Sequence, residues 1–275
     1  VMSRLLLSTD LDGTLLDHYT YSAAPADKLF PLLDRLNIPW IFNTSKTAPE
    51  LIALRSQLAN PHPFSVENGG AIYVPKGSQL AAELELQEHL GFYVINLGLT
   101  RADILSRVEP FRSQFNFYGL SEISVDEMAV MTGLSHERAK LALDRNFSEP
   151  LVWRDSEEQL QRFSLSLSEM GIQVVKGGRF VHLQGEVSKA HSLAWLVDQY
   201  QTLWNTSVES IALGDGENDR AMLEMADIAI QVRSPVHSFP AINALGEVIQ
   251  TDLCGPEGWY QAVKALVADR FPDAF

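Results

Sequence analysis

Two aspartates, Asp10 and Asp12, directly follow a short apolar run, Leu5–Ser8, that is typical of a buried strand. Open α/β sheets bind their ligands outside the carboxyl ends of the strands, so both acids are expected at a binding site. Residues two apart on an extended backbone point the same way. One carboxylate could then attack an electrophile while the other protonates the leaving group and later activates water. The alternatives are a pair of solvated acids in a loop and a low-affinity cation site.

The elements around these aspartates alternate short apolar runs with helical patterns, which predicts βαβ units and a parallel sheet. The pattern predicts a helix over Lys28–Leu36 and a second strand over Pro39–Asn43. A further helix should begin at Thr47, because Glu50 lies three residues on and completes a capping box. The first ninety residues therefore indicate the start of an α/β domain.

An inserted second domain is predicted between residues 83 and 185, where longer helices are separated by single strands. Its last part should be a hairpin, because two candidate strands flank the pair Gly177-Gly178. We therefore predict a core made of residues 1–82 and 186–275, with residues 83–185 forming the insertion.

The last part of the chain returns to the α/β alternation. The pattern predicts helices at about Lys189–Gln201 and Gly258–Asp269, with strands over Ser210–Leu213 and Ile228–Val232. These elements would complete the sheet that the first ninety residues begin.

Composition excludes several classes of function. The 275 residues include 21 Lys+Arg and 35 Asp+Glu, a formal charge of −14, which argues against a broad basic surface for nucleic acid or anionic lipid. The single cysteine, Cys254, excludes an intramolecular disulfide and a thiolate-rich metal site. No run of about 18 apolar residues and no signal-peptide pattern is visible, so we expect a cytoplasmic protein. The composition leaves the oligomeric state open.

The run Asp10-Leu11-Asp12-Gly13-Thr14 resembles the first motif, Asp-x-Asp-Gly-Thr, of the haloacid dehalogenase superfamily of phosphotransferases. The resemblance implies that Asp10 is the nucleophile and that Asp12 is the general acid and base. The second motif of the superfamily is a Ser or Thr at the end of the next core strand, and Thr44 matches it. Ser45 is the alternative match and a candidate for substrate contact. These hydroxyls would hold phosphate oxygens, unless they merely cap the following helix.

Two more motifs of the superfamily follow in order. Lys189, near the start of a helix, matches the lysine that neutralises the nucleophile and the phosphate. Asp215 matches a metal ligand, with Asn218 and Asp219 in or beside the metal shell and Asn218 also a candidate for substrate contact. A dinucleotide-binding loop is the competing interpretation of Gly214-Asp215-Gly216, but its third glycine would fall at Asp219.

The superfamily resemblance also implies a fold and a cofactor. The expected fold is a Rossmann-like parallel-sheet core with an inserted α/β cap of the C2 type, and the cap would select the substrate. The expected cofactor is Mg²⁺, whose usual ligands are carboxylates and substrate phosphate. It would be held by Asp10, by Asp215 and by the main-chain carbonyl of Asp12, which leaves the Asp12 carboxyl free for proton transfer.

Within the superfamily the chain is similar to the mannosyl-3-phosphoglycerate phosphatase family. The similarity lies in five short segments: Thr44–Thr47, Glu67–Gly69, Phe147–Leu151, Gly177–His182 and Gly255–Trp259. It implies hydrolysis of a small phosphorylated sugar acid through an aspartyl phosphate. The alternatives are a phosphatase or phosphotransferase for another sugar phosphate and a catalytically idle phosphate-binding protein, against which the presence of both aspartates argues.

The similarity also implies which residues bind the substrate. Arg179 and Lys46 are the basic residues expected to bind its carboxylate. Asn68 is a candidate for the sugar hydroxyls, although a left-handed turn residue is equally consistent with its position. His182 should face away from Arg179 on a strand, so a structural histidine is favoured there.

Overall fold

The computed structural model describes residues 2–83, 87–177 and 179–275. Gly178 of the predicted two-glycine turn lies outside the described residues. The strands are β1 (Arg4–Thr9), β2 (Trp40–Phe42), β3 (Phe64–Val66), β4 (Ala71–Pro75), β5 (Gln87–His89), β6 (Phe92–Asn96), β7 (Phe117–Gly119), β8 (Ser148–Trp153), β9 (Ile172–Lys176), β10 (Val181–Gly185), β11 (Val208–Gly214), β12 (Ile228–Arg233) and β13 (Glu247–Cys254).

Helices connect these strands. The α-helices are α1 (Phe30–Arg35), α2 (Ala48–Gln57), α3 (Arg101–Val108), α4 (Val125–Thr132), α5 (His136–Leu143), α6 (Glu157–Ser168), α7 (Lys189–Trp204), α8 (Arg220–Met225) and α9 (Gly255–Arg270). None of the helices in the described ranges combines the length and the apolarity needed to cross a bilayer.

The predicted parallel sheet is confirmed. Five parallel strands lie in the order β13-β12-β11-β1-β2, so β1 is flanked by β11 and β2. Successive side chains of β1 point to opposite faces. Leu5 and Leu7 pack in a cluster with residues of α1, α2 and α9, whereas Leu6 packs with residues of α7 and α8. Helices therefore cover both faces of the sheet, and a sheet of this kind binds its ligands at the carboxyl ends of the strands.

The predicted α/β insertion is also present. Its sheet has the order β7-β8-β10-β9 and is antiparallel throughout. Helices α3 and α6 cover one face through a cluster that contains Ile104, Phe163 and Leu183. The predicted hairpin is formed by β9 and β10, which pair from Lys176 opposite Val181. We call this unit the cap.

A third sheet bears on where the cap begins. Its order is β3-β4-β6-β5, and β6 pairs with β4 along its whole length. Strands β5 and β6 fall within the predicted insertion, 83–185, yet their partner β4 belongs to the core segment. The chain leaves this sheet at Gly98, which approaches Gly185 at the other end of the cap so closely that a Cβ on Gly185 would lie 3.2 Å from the Gly98 Cα. We therefore propose that the cap spans residues 98–185.

Two local features differ from the sequence-based expectation. The helix expected over Lys28–Leu36 is divided into a 3-10 turn at Ala26–Leu29 and the short α1, in which Pro31 occupies the first turn, where a missing N–H costs nothing. Helix α9 begins three residues earlier than expected because Pro256 is tolerated at the same kind of position.

Candidate active site

Three neighbouring strands of the central sheet bring predicted site residues to one edge. Asp10 directly follows β1, Thr44 lies two residues beyond β2, and Asp215 directly follows β11. Because these strands are parallel and adjacent, their carboxyl ends lie side by side. Lys189 is the first residue of α7, whose N-terminus is capped by Ser188.

Lys189 joins two carboxylates at this edge. Its ammonium lies 2.8 Å from Asp10 Oδ1 and 2.6 Å from Asp219 Oδ1, and its side chain is completely buried. Burial alone would lower the pKa of Lys189, but the two carboxylates outweigh it and raise the pKa above its usual range. Burial likewise opposes ionisation of Asp10, and Lys189 more than offsets it, so the Asp10 pKa falls below its usual range. Asp10 is therefore held ionised, as a nucleophile requires.

Asp215 lies near two other carboxylates, those of Asp10 and Asp219. The hydroxyl of Thr14 lies 3.2 Å from Asp10 Oδ2 and 3.1 Å from Asp215 Oδ1, and so bridges the two carboxylates. Burial and the charges of Asp10 and Asp219 raise the pKa of Asp215 to about 8. The ammonium of Lys189 contacts two of these three carboxylates, and further positive charge near Asp215 would stabilise its ionised form.

The residues at this edge fit a divalent cation. Oxygens of Asp10, Asp215 and Asp219 lie within 4.8 Å of one another. Hard oxygen donors of this kind suit Mg²⁺, which keeps other positions for water and phosphate. The sequence-based ligand set was Asp10, Asp12 and Asp215, with Asp219 in or beside the metal shell. In the part of the chain that the structure describes, the carboxylate of Asp12 lies outside this cluster, which is compatible with ligation through its main-chain carbonyl alone.

Asp12 instead contacts the predicted substrate-binding Lys46. The ammonium of Lys46 lies 3.0 Å from Asp12 Oδ2, and the Asp12 side chain is 47% exposed. Burial would lower the pKa of Lys46, but the carboxylates of Asp12 and Glu50 outweigh it and raise the pKa. The two aspartates therefore differ: Asp10 is buried against a lysine at the sheet edge, and the Asp12 side chain is about half exposed.

The segment after β2 is shaped by Thr44 and Thr47. Thr44 is buried, and its hydroxyl accepts a hydrogen bond from the main-chain N–H of Lys46 at 3.1 Å. The N-cap of α2 is Thr47, which forms the predicted capping box with Glu50. The helix-capping alternative therefore does not account for Thr44 or Ser45, and both stay candidates for phosphate contact.

Asn68 and Asn218 lie together near this edge. The amide of Asn218 donates to Asn68 Oδ1 at 3.2 Å. Asn68 has a φ of 57°, so it is the left-handed turn residue that the sequence allowed. Its side chain still reaches the loop that follows Asp215, which keeps both asparagines as candidates for substrate contact.

Gly69, beside this pair, allows the turn to approach Lys189. It has a φ of 85°, and a Cβ there would lie 2.0 Å from the carbonyl oxygen of Ser188. Gly91 has the same φ of 85° and no heavy atom within 4 Å of such a Cβ. Gly91→Ala should lower the free energy of unfolding by about 1–2 kcal/mol through backbone strain. Gly69→Ala should lower it by a further ~1–3 kcal/mol through overpacking, which urea unfolding would measure, and equal losses would contradict this account.

The cap residues Arg179 and His182 differ in environment. Arg179 is exposed, next to Phe180, which packs against the cluster formed by α4 and α5. His182 is held neutral because burial lowers its pKa to about 4. Among the described residues, His182 Nδ1 is buried without a hydrogen-bond partner, so a structural role for His182 stays a prediction. Arg179 stays a candidate on the side of the cap that carries α5.

Two polar residues at this edge were not singled out from the sequence. His237 Nε2 lies 3.3 Å from Asp215 Oδ2, and the amide of Asn43 donates to the main-chain carbonyl of Lys189 at 3.0 Å. Asn43 directly precedes Thr44 in the second motif, and this position was the signal that could have identified it. His237 lies in a loop between β12 and β13 with no sequence pattern, and no signal could have found it.

Comparison with known proteins agrees with this geometry. The model of a family described as haloacid dehalogenase-like hydrolase matches residues 7–239. A glucosyl-3-phosphoglycerate/mannosyl-3-phosphoglycerate phosphatase of Methanococcoides burtonii is 35% identical over 95% of this chain and 97% of its own. A protein of the same description from Persephonella marina is 30% identical over 94% of this chain and 96% of its own.

The fold has solved relatives as well. A phosphatase of the haloalkanoate enzyme superfamily from Bacteroides thetaiotaomicron superposes with a TM-score of 0.64 at 20% identity, covering 96% of this chain and 95% of that one. A family match thus covers most of the sequence. It accompanies a parallel core, an inserted cap and a cluster of carboxylates with a lysine at the carboxyl ends of the central strands. The chain belongs to the haloacid dehalogenase-like hydrolase family.

Proposed function

We propose that this protein is a Mg²⁺-dependent phosphatase that removes the phosphate of mannosyl-3-phosphoglycerate, or of its glucosyl counterpart, through an aspartyl phosphate. The observation that carries the proposal is the buried contact of Asp10 with Lys189 beside the carboxylates of Asp215 and Asp219. The names of the two curated relatives support the sugar acid as the substrate class. The second candidate is a phosphatase or phosphotransferase for another sugar phosphate.

In the proposed reaction the Asp10 carboxylate attacks phosphorus in line with the departing alkoxide. A bond forms between an Asp10 oxygen and phosphorus while the ester P–O bond breaks. Lys189 keeps Asp10 ionised and stabilises the charge that collects on the phosphoryl oxygens. The hydroxyl of Thr44 and the main-chain N–H groups beyond β2 would hold phosphate oxygens.

Asp12 is the proposed acid and base. Its carboxyl is half exposed, so a leaving group could approach it from solvent. It would protonate the alkoxide and then take a proton from the water that hydrolyses the aspartyl phosphate. Lys46 contacts Asp12 in this structure, so a substrate carboxylate that binds Lys46 would release the Asp12 carboxyl for these proton transfers.

Asp10, Asp215, Asp219 and the main-chain carbonyl of Asp12 are the groups that would hold Mg²⁺. When bound, the cation supplies positive charge to the phosphoryl oxygens and orients the phosphate. The positive charge of the cation would offset the negative charges of the carboxylates. Without it, these charges would repel the incoming phosphate.

Arg179 is the proposed contact of the cap with the substrate carboxylate. A guanidinium can hold a carboxylate through two parallel hydrogen bonds, and losing such a charged partner costs about 1.5–3 kcal/mol. Arg179→Ala should therefore lower kcat/KM for mannosyl-3-phosphoglycerate by roughly 10–100-fold. Hydrolysis of an aryl phosphate without a carboxylate should hardly change.

The control is Arg162→Ala, which removes an exposed arginine on α6 whose partner is Glu158 in the same helix. This variant should match the wild type on both substrates. Equal losses on both substrates for the Arg179 variant would assign it to the fold or the chemistry, and wild-type kinetics on both would remove it from the site.

The proposed function is tested by phosphate release from a panel of phosphate esters in the presence of Mg²⁺. The panel contains mannosyl-3-phosphoglycerate, glucosyl-3-phosphoglycerate, hexose phosphates and 3-phosphoglycerate. The two glycosyl esters should have the highest kcat/KM. A higher value for a hexose phosphate would favour the second candidate, and release from none of the esters would overturn both.

A further inference from the structure

We infer that Glu67 is a positioning residue that holds the cap in a fixed orientation over the catalytic loops. The inference rests on the proposed function, because it concerns how the cap comes to contribute to substrate selection. It concerns a buried carboxylate that takes no part in the chemistry described above. The contact of this carboxylate with Arg145–Ser148, the segment that follows α5 and ends on the first residue of β8, is called the Glu67 clamp.

The clamp is made of one side chain from the core and four consecutive residues of the cap. Glu67 is 2% exposed. Its carboxylate accepts hydrogen bonds from the main-chain N–H groups of Asn146 and Phe147, at 3.1 and 3.2 Å, and from the hydroxyl of Ser148, at 2.6 Å. The guanidinium of Arg145 lies 3.5 Å away and is itself nearly buried. The carboxylate therefore satisfies the main chain of the cap at the point where β8 begins.

The backbone of Glu67 is held by the catalytic segment beyond β2. Its main-chain N–H donates to the carbonyl of Lys46 at 3.0 Å, and the N–H of Asn68 donates to the carbonyl of Thr44 at 2.9 Å. Glu67 has a φ of 52°, a left-handed conformation that is unfavourable for a residue with a side chain. The surrounding contacts hold it there and direct the carboxylate toward the cap.

The same turn reaches the other catalytic loops. Asn68 contacts Asn218 in the loop after β11, and Gly69 lies against the carbonyl of Ser188, directly before Lys189. One short turn, Glu67–Gly69, thus contacts the loops that follow β2 and β11 and the start of α7. Its one long side chain reaches into the cap.

Two further hydrogen bonds join the cap to the segment that follows β2. Arg145 donates to the carbonyl of Ser45 at 3.2 Å, and the hydroxyl of Thr47 donates to the carbonyl of Leu141 at 2.8 Å. Helices α2 and α5 also pack against each other. The cap therefore packs against the residues around Lys46, and Glu67 and Arg145 are buried charged groups within that contact.

The test compares Glu67→Gln with Glu149→Gln. Both residues are buried glutamates with an arginine partner, but Glu149 pairs with Arg101 at 2.8 Å and accepts from the main-chain N–H of Ser121, and both of these partners lie inside the cap. A glutamine keeps the size of the side chain and removes the charge and one acceptor oxygen, so the clamp is weakened without a cavity. The backbone bonds of the turn to Thr44 and Lys46 remain in the Glu67 variant.

The first measurement is hydrogen exchange of the amides of Asn146 and Phe147, which donate to the Glu67 carboxylate. In Glu67→Gln these amides should exchange roughly tenfold faster, and in Glu149→Gln they should exchange as in the wild type. Unchanged exchange in the Glu67 variant would overturn the clamp. Ser148→Ala, which removes one of its bonds, replaces Glu67→Gln if that variant does not fold.

The second measurement is the ratio of kcat/KM for mannosyl-3-phosphoglycerate to that for 4-nitrophenyl phosphate. The ratio should fall by about tenfold in Glu67→Gln, because the cap groups lose their orientation, and stay unchanged in Glu149→Gln. Faster exchange with an unchanged ratio would reduce Glu67 to a structural residue. If the wild type hydrolysed neither ester, the proposed function would fail, and the exchange measurement would still decide whether Glu67 holds the cap.

Discussion

Replacing Asp10 with asparagine is expected to abolish turnover, with kcat lower by roughly 10⁴–10⁶-fold, the range found when an attacking group is removed. An amide cannot form the covalent bond to phosphorus that the proposed reaction needs. The asparagine side chain would occupy the same volume, and Lys189 would keep Asp219 as a partner at 2.6 Å. The variant should therefore fold while its chemistry is lost.

A matched control variant tests whether the loss of kcat is specific to position 10. Asp27→Asn makes the same chemical change at an exposed aspartate of a 3-10 turn and should leave kcat unchanged. Circular dichroism and the midpoint of thermal unfolding would verify that both variants fold. Turnover at the wild-type rate in Asp10→Asn would remove Asp10 as the nucleophile.

Removing the metal is expected to stop the reaction as completely as removing the nucleophile. Asp10, Asp215 and Asp219 lie close together, the ammonium of Lys189 contacts two of them, and without further positive charge they would repel a phosphate. EDTA should reduce phosphate release to background, and excess Mg²⁺ should restore it. EDTA that is already saturated with Mg²⁺ is the control and should have no effect.

A variant tests the metal prediction at the proposed ligand. Asp215→Asn should raise the Mg²⁺ concentration needed for half-maximal activity by at least about tenfold, since a charged ligand becomes neutral. Full activity in metal-free buffer would contradict the prediction. An unchanged Mg²⁺ requirement in the variant would remove Asp215 from the ligand set.

The sequence could predict which residues follow the carboxyl ends of the central strands because its signals are local. A short apolar run marks β1, and Asp10 follows it directly, so the position of the acid at the strand end is visible in adjacent residues. The capping box of Thr47 and Glu50 is equally local, and it is present as predicted. That Asp10, Asp215 and Lys189 meet depends on parallel pairing, which the α/β alternation indicates.

Strand β13 is an element that such local signals do not predict. It is an outermost strand of the central sheet. Most of its side chains are exposed, among them Glu247, Val248 and Asp252. An edge strand with one neighbour does not need the continuous apolar run by which β12 was predicted. This strand is identified by its pairing with β12. The residues of β13 alone do not reveal that pairing.

The proposed start of the cap differs from the boundary predicted from the sequence for the same reason. The helical texture changes near residue 83, but β6 pairs with β4 and so remains with the core segment. The Glu67 clamp joins residues about eighty positions apart, through a carboxylate that no periodic pattern marks. Contacts of this kind depend on tertiary structure, and the sequence offered only the short segments that contain Glu67 and Phe147.

The central claim, that Asp10 carries the phosphoryl group, is tested most directly by trapping the intermediate. The enzyme is mixed with mannosyl-3-phosphoglycerate and Mg²⁺, quenched in acid during turnover and digested, and the peptide that contains Asp10 is analysed by mass spectrometry. We predict a peptide that is heavier by one phosphoryl group, with the group on Asp10 and with no such peptide in Asp10→Asn. A phosphoryl group on another residue, or turnover with no phosphorylated peptide under any quench condition, would contradict the account.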